Sequence, residues 1–258
     1  MLITLTIPGS SNAMYLDPNT KILLPEEGEI EVAIPTSWNE EDDPFPNFNK
    51  SSFARLDSQP DTIFYQDPRF TEHVDENAVK IMTSYISSVL RPNDTVLDLC
   101  SSWTSHIDAS VLEKISKVSG LGLNEEELKR NPCLSDYVVQ DLNASKDLKL
   151  PYEDGQFDVV LCQLSIDYMI YPKELLREVG RVLKSGGRVH ILFSNRLFIQ
   201  KAVGLWTGKD DLDHAYTVGS YLHYSKGGFV DIHAKDLSTR KKGKIVGDPM
   251  YVVVGTNM

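Results

Sequence analysis

No apolar run in this 258-residue chain reaches the about 18 to 20 residues that cross a bilayer, so a membrane-spanning helix is excluded and a soluble protein is expected. Cysteine is scarce too. Cys100, Cys133 and Cys162 are odd in number and widely spaced, which excludes a disulfide framework and a C-x-x-C metal or redox site, and an intracellular, reducing compartment such as the cytoplasm or an organelle is expected. Positive charge is in deficit, with 26 Lys and Arg against 37 Asp and Glu, a balance of -11 that repels a phosphate backbone and argues against nucleic acid. The dense basic run Arg240, Lys241, Lys242, Lys244 stands between two late strands as a hairpin tip. The opening residues lack a basic leader and break at Pro8, so no secretory signal is expected, and Ser11 to Met14 has the look of a cloning remnant. No metal-ligand spacing occurs, and oligomeric state is not legible.

What is present divides the chain in two. Residues 1–60 hold three basic and ten acidic residues, with Pro25, Pro35, Pro44, Pro46 and Pro60 and the cluster Glu40-Glu41-Asp42-Asp43. This composition predicts an extended acidic arm with at most one short strand near Glu29 to Ile34, either a solvated tail or a lid. Residues 61–258 form the second division, in which helix and strand patterns alternate from Val74 onward. Asp75 caps a helix with Val79, Met82, Ile86 and Leu90 on one face. Thr95 to Cys100, Val118 to Leu123, Tyr137 to Gln140, Phe157 to Gln163 and Arg188 to Phe193 predict buried strands, with helices at Val111 to Lys117, Glu125 to Arg130 and Pro172 to Lys184 between them. Gly228 to Lys235 and Met250 to Val254 are expected as a closing antiparallel pair. The sum is an α/β chain with a Rossmann-like, seven-stranded, mostly parallel sheet, helices on both faces and an antiparallel C-terminal hairpin. Ligands of such sheets bind at the carboxyl ends of the strands.

Four stations from Thr95 onward resemble the class I S-adenosylmethionine-dependent methyltransferases: Val96-Leu97-Asp98-Leu99, Val118 to Asn124, Gln140-Asp141-Leu142 with Leu150-Pro151-Tyr152 and Phe157-Asp158-Val159-Val160, and Leu175 to Leu183 followed by Lys184-Ser185-Gly186-Gly187. The resemblance implies S-adenosylmethionine as cofactor and transfer of its methyl to a small molecule. It assigns cofactor contacts to Asp98, Cys100, Ser101, Ser102, Trp103, Asn124, Asp141, Leu142 and Gln163, with Asp98 toward the ammonium and Asp141 toward the adenine amino group. Two departures stand out. No glycine occurs from Val96 to Ser119, where family members carry a glycine-rich loop, and the loop resembles a branch with Ser-Ser-Trp instead. At the end of the second strand Gly122 occupies the place of the acid that receives the ribose hydroxyls, with Asn124 as a substitute or as a helix cap.

The acceptor side is expected after the fourth and fifth strands. Asp167, Arg196, Tyr221 and Tyr224 are its candidate binding residues, Arg196 as the grip for a carboxylate. Tyr168, His214 and His223 are the candidate catalytic groups, a base being needed only when the attacking atom bears a proton. Each histidine is equally readable as structural. The missing G-x-G-x-x-G disfavours a nucleotide-dependent reductase. The alternative to a methyltransferase is a degenerate methyltransferase fold serving as a binding or scaffolding subunit.

Overall fold

A computed structural model describes residues 14–16, 23–45 and 51–258. The break at Pro8 and the prolines and charges within 17–22 and 46–50 lie outside the described residues. The sheet strands are β1 (Thr95–Leu99), β2 (Lys117–Gly122), β3 (Asp136–Val139), β4 (Phe157–Gln163), β5 (Leu183–Phe193), β6 (Phe229–Asp236) and β7 (Tyr251–Asn257). In space they run β3-β2-β1-β4-β5-β7-β6. The first five are parallel, and β7 is antiparallel to both neighbours, β5 and β6. The closing pair is therefore antiparallel as expected, but β7 slots inside the sheet and β6 takes the edge.

Successive strand residues point to opposite faces, and the apolar runs feed two cores. Val96, Val118, Val159, Leu161 and Val252 face helix α1 (Glu76–Val89) through its Ala78, Met82 and Ile86. Leu97, Leu99, Leu121, Val160 and Ile191 face the other way, toward α4 (Pro172–Val182) and α5 (Asp211–Tyr224). Burial of each such side chain contributes roughly 1.5 to 3 kcal/mol. Asp75 caps α1 by accepting from the Ala78 N–H at 2.8 Å. The short helices α2 (Ala109–Leu112) and α3 (Glu125–Arg130) follow β1 and β2.

The helix expected at Val111 to Lys117 is instead the helical turn Ala109–Leu112, since Lys117 already belongs to β2 and pairs with Thr95. Three further expectations change. Glu29 to Ile34 is not a strand: Glu29–Val32 is a helical turn entered through Gly28 at φ 86°. Its Ile30, with Ala33, Ile34 and Phe45, joins the core beside α5. Helix α4 stops at Val182 rather than Lys184, because Leu183 is already extended and pairs with Phe157. Residues 211–224, expected as a string of polar site residues, form α5 under an Asp210 cap that accepts from the Asp213 N–H at 2.8 Å.

Candidate functional site

A cleft of about 1130 Å³, measured to its open mouth, lies across the carboxyl ends of β1, β2, β3 and β4. Its floor is the loop after β1, and the way that loop turns without glycine is the central local feature. Cys100 stands at φ 60° and His106 at φ 52°, and across the cleft Leu164 after β4 stands at φ 50°. The left-handed conformation that glycine adopts freely is here forced on side-chain-bearing residues, a cost of about 1 to 2 kcal/mol each. Cys100→Val is accordingly expected to melt below Cys100→Ala, by about 1 kcal/mol of stability, because a second branch at Cβ crowds the following carbonyl. Equal melting temperatures would contradict the strain.

Asp98 is the hub that holds the loop. It is 1% exposed. One carboxylate oxygen accepts from the Ser101 and Ser105 hydroxyls, both at 2.6 Å, and the other from the Gln163 amide at 2.9 Å. Burial pushes the Asp98 carboxyl above its ordinary range, and these three donors and His106 work against that. Asn131 backs the hub from behind, donating to Ser105 Oγ and to the Ser102 carbonyl, each at 2.9 Å. Gln163 turns its oxygen to His106 Nδ1 at 2.8 Å, while His106 Nε2 meets Glu72 at 3.1 Å. Burial opposes charge on His106, but Glu72, Gln163 and Asp98 outweigh it and raise its pKa.

Residues 61–73 cross over the cleft as a strap. Asn124 donates to the carbonyls of Tyr65 and Gln66 at 2.9 and 3.1 Å, and Glu127 accepts from the Arg69 N–H and the Ser102 hydroxyl, each at 2.6 Å. The far end is fixed by Asp61, which binds Arg55, the buried Lys201 and the Asn143 amide. Covering the cleft thus falls to 61–73, and none of the described residues before Asp61 lines it.

The expected cofactor residues Asp98, Cys100, Ser101, Ser102, Trp103, Asn124, Asp141, Leu142 and Gln163 all line this one cleft. Asn124 is a helix cap: its oxygen accepts from the Glu126 and Glu127 N–H groups and its nitrogen is spent on the strap, so its amide has no capacity left for ribose. Nor is there room for an acid at 122, since a Cβ there would stand 2.2 Å from the Ser101 carbonyl oxygen. Asp141 accepts from the Asn143 N–H through one oxygen.

On the acceptor side, Tyr168 lines the cleft and accepts from the Phe198 N–H at 2.9 Å, its phenol held protonated by burial. The others lie elsewhere. Arg196 is paired with Asp248 at 2.7 Å and largely exposed. His214 stacks on Trp206 with centroids 4.0 Å apart, and His223 stacks on Trp38 at 5.0 Å. Tyr221 is fully buried, Tyr224 donates to the Asn39 carbonyl, and Asp167 is buried behind Tyr168. Helix α5 carries four of these into the core, which is why they miss the cleft. In their place stand Tyr65, Arg69, Glu72, His73, Glu127 and Phe198. His73 sits edge-on to Phe198 at 5.0 Å, and burial with the neighbouring Arg69 lowers its pKa, so it is a neutral imidazole able to take a proton. The Pro-flanked, aperiodic strap gave these residues no pattern to be read by.

A family model described as a methyltransferase domain matches residues 104–191. The strand order and the cleft at the carboxyl ends agree with it. Residues 104–191 of the chain thus resemble a methyltransferase domain. A sarcosine/dimethylglycine N-methyltransferase of Halorhodospira halochloris is 31% identical over 109 residues, 40% of this chain and 39% of that protein. A mitochondrial ubiquinone biosynthesis O-methyltransferase of Candida albicans is 24% identical over 225 residues, 75% of this chain and 68% of that one. The chain thus spans well under half of the first relative's length. In fold it is similar to the PH0226 protein from Pyrococcus horikoshii OT3, with TM-score 0.51, 15% identity and coverage of 76% and 99%. It is also similar to the cyclase SpnF, with TM-score 0.50, 15% identity and coverage of 74% and 88%. Among the described residues, no helix is long and apolar enough to cross a membrane.

Proposed function

We propose that the cleft binds S-adenosylmethionine, the cofactor of this family, and that the chain transfers its methyl group to a small molecule. The observation that carries this reading is Asp98. Its partners are two hydroxyls and an amide, and among the described residues no lysine or arginine pairs with it. A buried carboxylate in that state is completed by a ligand cation, which the ammonium of the cofactor's amino-acid tail supplies. Asp141, with one oxygen uncommitted to the turn, is placed for the adenine amino group at the other end. When bound, the cofactor supplies an electrophilic methyl on sulfur. The chain's own part is alignment and exclusion of water, for which the strap and the rings of Tyr65, Tyr168 and Phe198 form the cover. His73 can receive a proton where the attacking atom bears one.

The relatives' names cover an amine nitrogen, an oxygen in ubiquinone biosynthesis and a carbon in quinone biosynthesis, which supports a small-molecule acceptor without choosing the atom. Arg196, the residue expected to grip an acceptor carboxylate, is committed to Asp248. A carboxylate on the acceptor therefore needs another cation.

Calorimetry with S-adenosylmethionine and S-adenosylhomocysteine tests the reading. Micromolar binding is expected; no binding at millimolar concentration would leave the scaffolding alternative in its place. Asp141→Ala should weaken S-adenosylhomocysteine binding by about 1 to 3 kcal/mol, and an unchanged dissociation constant in a normally melting variant would remove Asp141 from the adenine contact.

A further inference from the structure

Arg69 lies in the strap with its guanidinium boxed by aromatic rings. Its Cζ is 4.3 Å from the centroid of Phe64, 5.0 Å from that of Phe198 and 5.5 Å from that of Tyr65. One terminal nitrogen donates to the Phe64 carbonyl at 3.0 Å. The other, Nη1, is buried and has no hydrogen-bond partner among the described residues. Glu127, the carboxylate that touches this residue, accepts from its backbone N–H and not from the guanidinium. Arg69 also lines the cleft, next to His73 and opposite the Asp98 loop.

A guanidinium keeps its charge at any physiological pH, and rings on its faces strip it of water. A buried N–H donor without an acceptor is costly, and the planar fork of arginine matches the two oxygens of a carboxylate. We propose that Arg69 is the carboxylate-gripping residue of this cleft, the anion being either the amino-acid tail of the bound cofactor or an acidic group on the acceptor. The proposal rests on the cleft taking S-adenosylmethionine, and the two fail in different ways.

The test uses the full chain, the variants Arg69→Gln and Arg69→Lys, and calorimetry with defined probes. S-adenosylhomocysteine carries the carboxylate, and methylthioadenosine is the same nucleoside thioether without it. Benzoate and its neutral counterpart benzamide are then titrated into protein saturated with S-adenosylhomocysteine. Methylthioadenosine should bind the wild type and Arg69→Gln alike. If the cofactor brings the anion, Arg69→Gln weakens S-adenosylhomocysteine by about 10- to 100-fold. If the acceptor brings it, that affinity is unchanged, and the wild type favours benzoate over benzamide by about tenfold or more, a preference that the glutamine variant loses. Lysine, charged but without the fork, should retain part of either effect, and it keeps the test open if the glutamine variant fails to fold. Unchanged S-adenosylhomocysteine affinity together with equal binding of benzoate and benzamide overturns the proposal. Failure of both nucleosides to bind the wild type overturns the cofactor reading instead, and the benzoate comparison on free protein still decides Arg69.

Discussion

Asp98→Ala is expected to produce the largest loss of any single substitution in the cleft, in stability and in cofactor binding together. It removes the common acceptor of Ser101, Ser105 and Gln163, leaving the two buried hydroxyls facing a void and Gln163 with only the Ser105 carbonyl at 3.2 Å. Each orphaned group costs about 1 to 3 kcal/mol, so a total of about 3 to 5 kcal/mol is expected, with a fall in melting temperature of about 10 °C. Asp98→Asn separates the two losses. The amide oxygen can still accept from Gln163, so most of the stability should survive, whereas the lost charge should weaken S-adenosylhomocysteine by about 100-fold. Melting curves and calorimetry on both variants measure this, and an asparagine variant that binds as the wild type does would show that Asp98 only holds the loop.

The second large effect concerns pH and falls on Asp167, directly behind the cleft. It is buried, one of its oxygens has no hydrogen-bond partner among the described residues, and burial raises its carboxyl from the ordinary 3.8 to about 8. Between those two values the folded chain holds a proton that the unfolded chain has released. Stability contributed at this site is therefore present below pH 4 and declines as pH rises toward 8, by about 1.4 kcal/mol for each unit, before levelling off. Asp167→Asn, uncharged and nearly the same shape, should abolish that decline and be more stable than the wild type at pH 8. Urea midpoints at pH 5, 7 and 9 report it. Parallel pH profiles for the two proteins would mean that Asp167 titrates normally.

The parallel half of the sheet was legible because buried strands are written as runs such as Val159-Val160-Leu161-Cys162, and because turns and caps punctuate them. Helix α5 was not legible for a definite reason. It is enclosed by the sheet on one side and by Ile34, Trp38 and Phe45 on the other, so residues all round it are buried and no single apolar stripe marks a helix. Taking its histidines and tyrosines for site residues followed from that. The half of the cleft at the strand ends was readable because periodicity locates those ends to within a residue or two. The other half comes from the strap, which has no period, and Arg196 was misplaced because its partner Asp248 is 52 residues away. The left-handed turns at Cys100 and His106 left no trace either, because the usual sign of such a turn is the glycine that this loop lacks.

The place of β7 bears on how the chain reaches this structure. Since β7 lies between β5 and β6, the outer edge of β5 stays open until Tyr251–Asn257 arrives, although β5 itself ends at Phe193. Val189, Ile191 and Phe193 then belong to an exposed, apolar strand edge, the kind that pairs with other chains. Helix α5 and the edge strand β6 both lie between β5 and β7 in the chain, and β6 joins the sheet only through β7. Strand β7 is thus a keystone: any state in which it is displaced leaves that edge open to pairing with another chain.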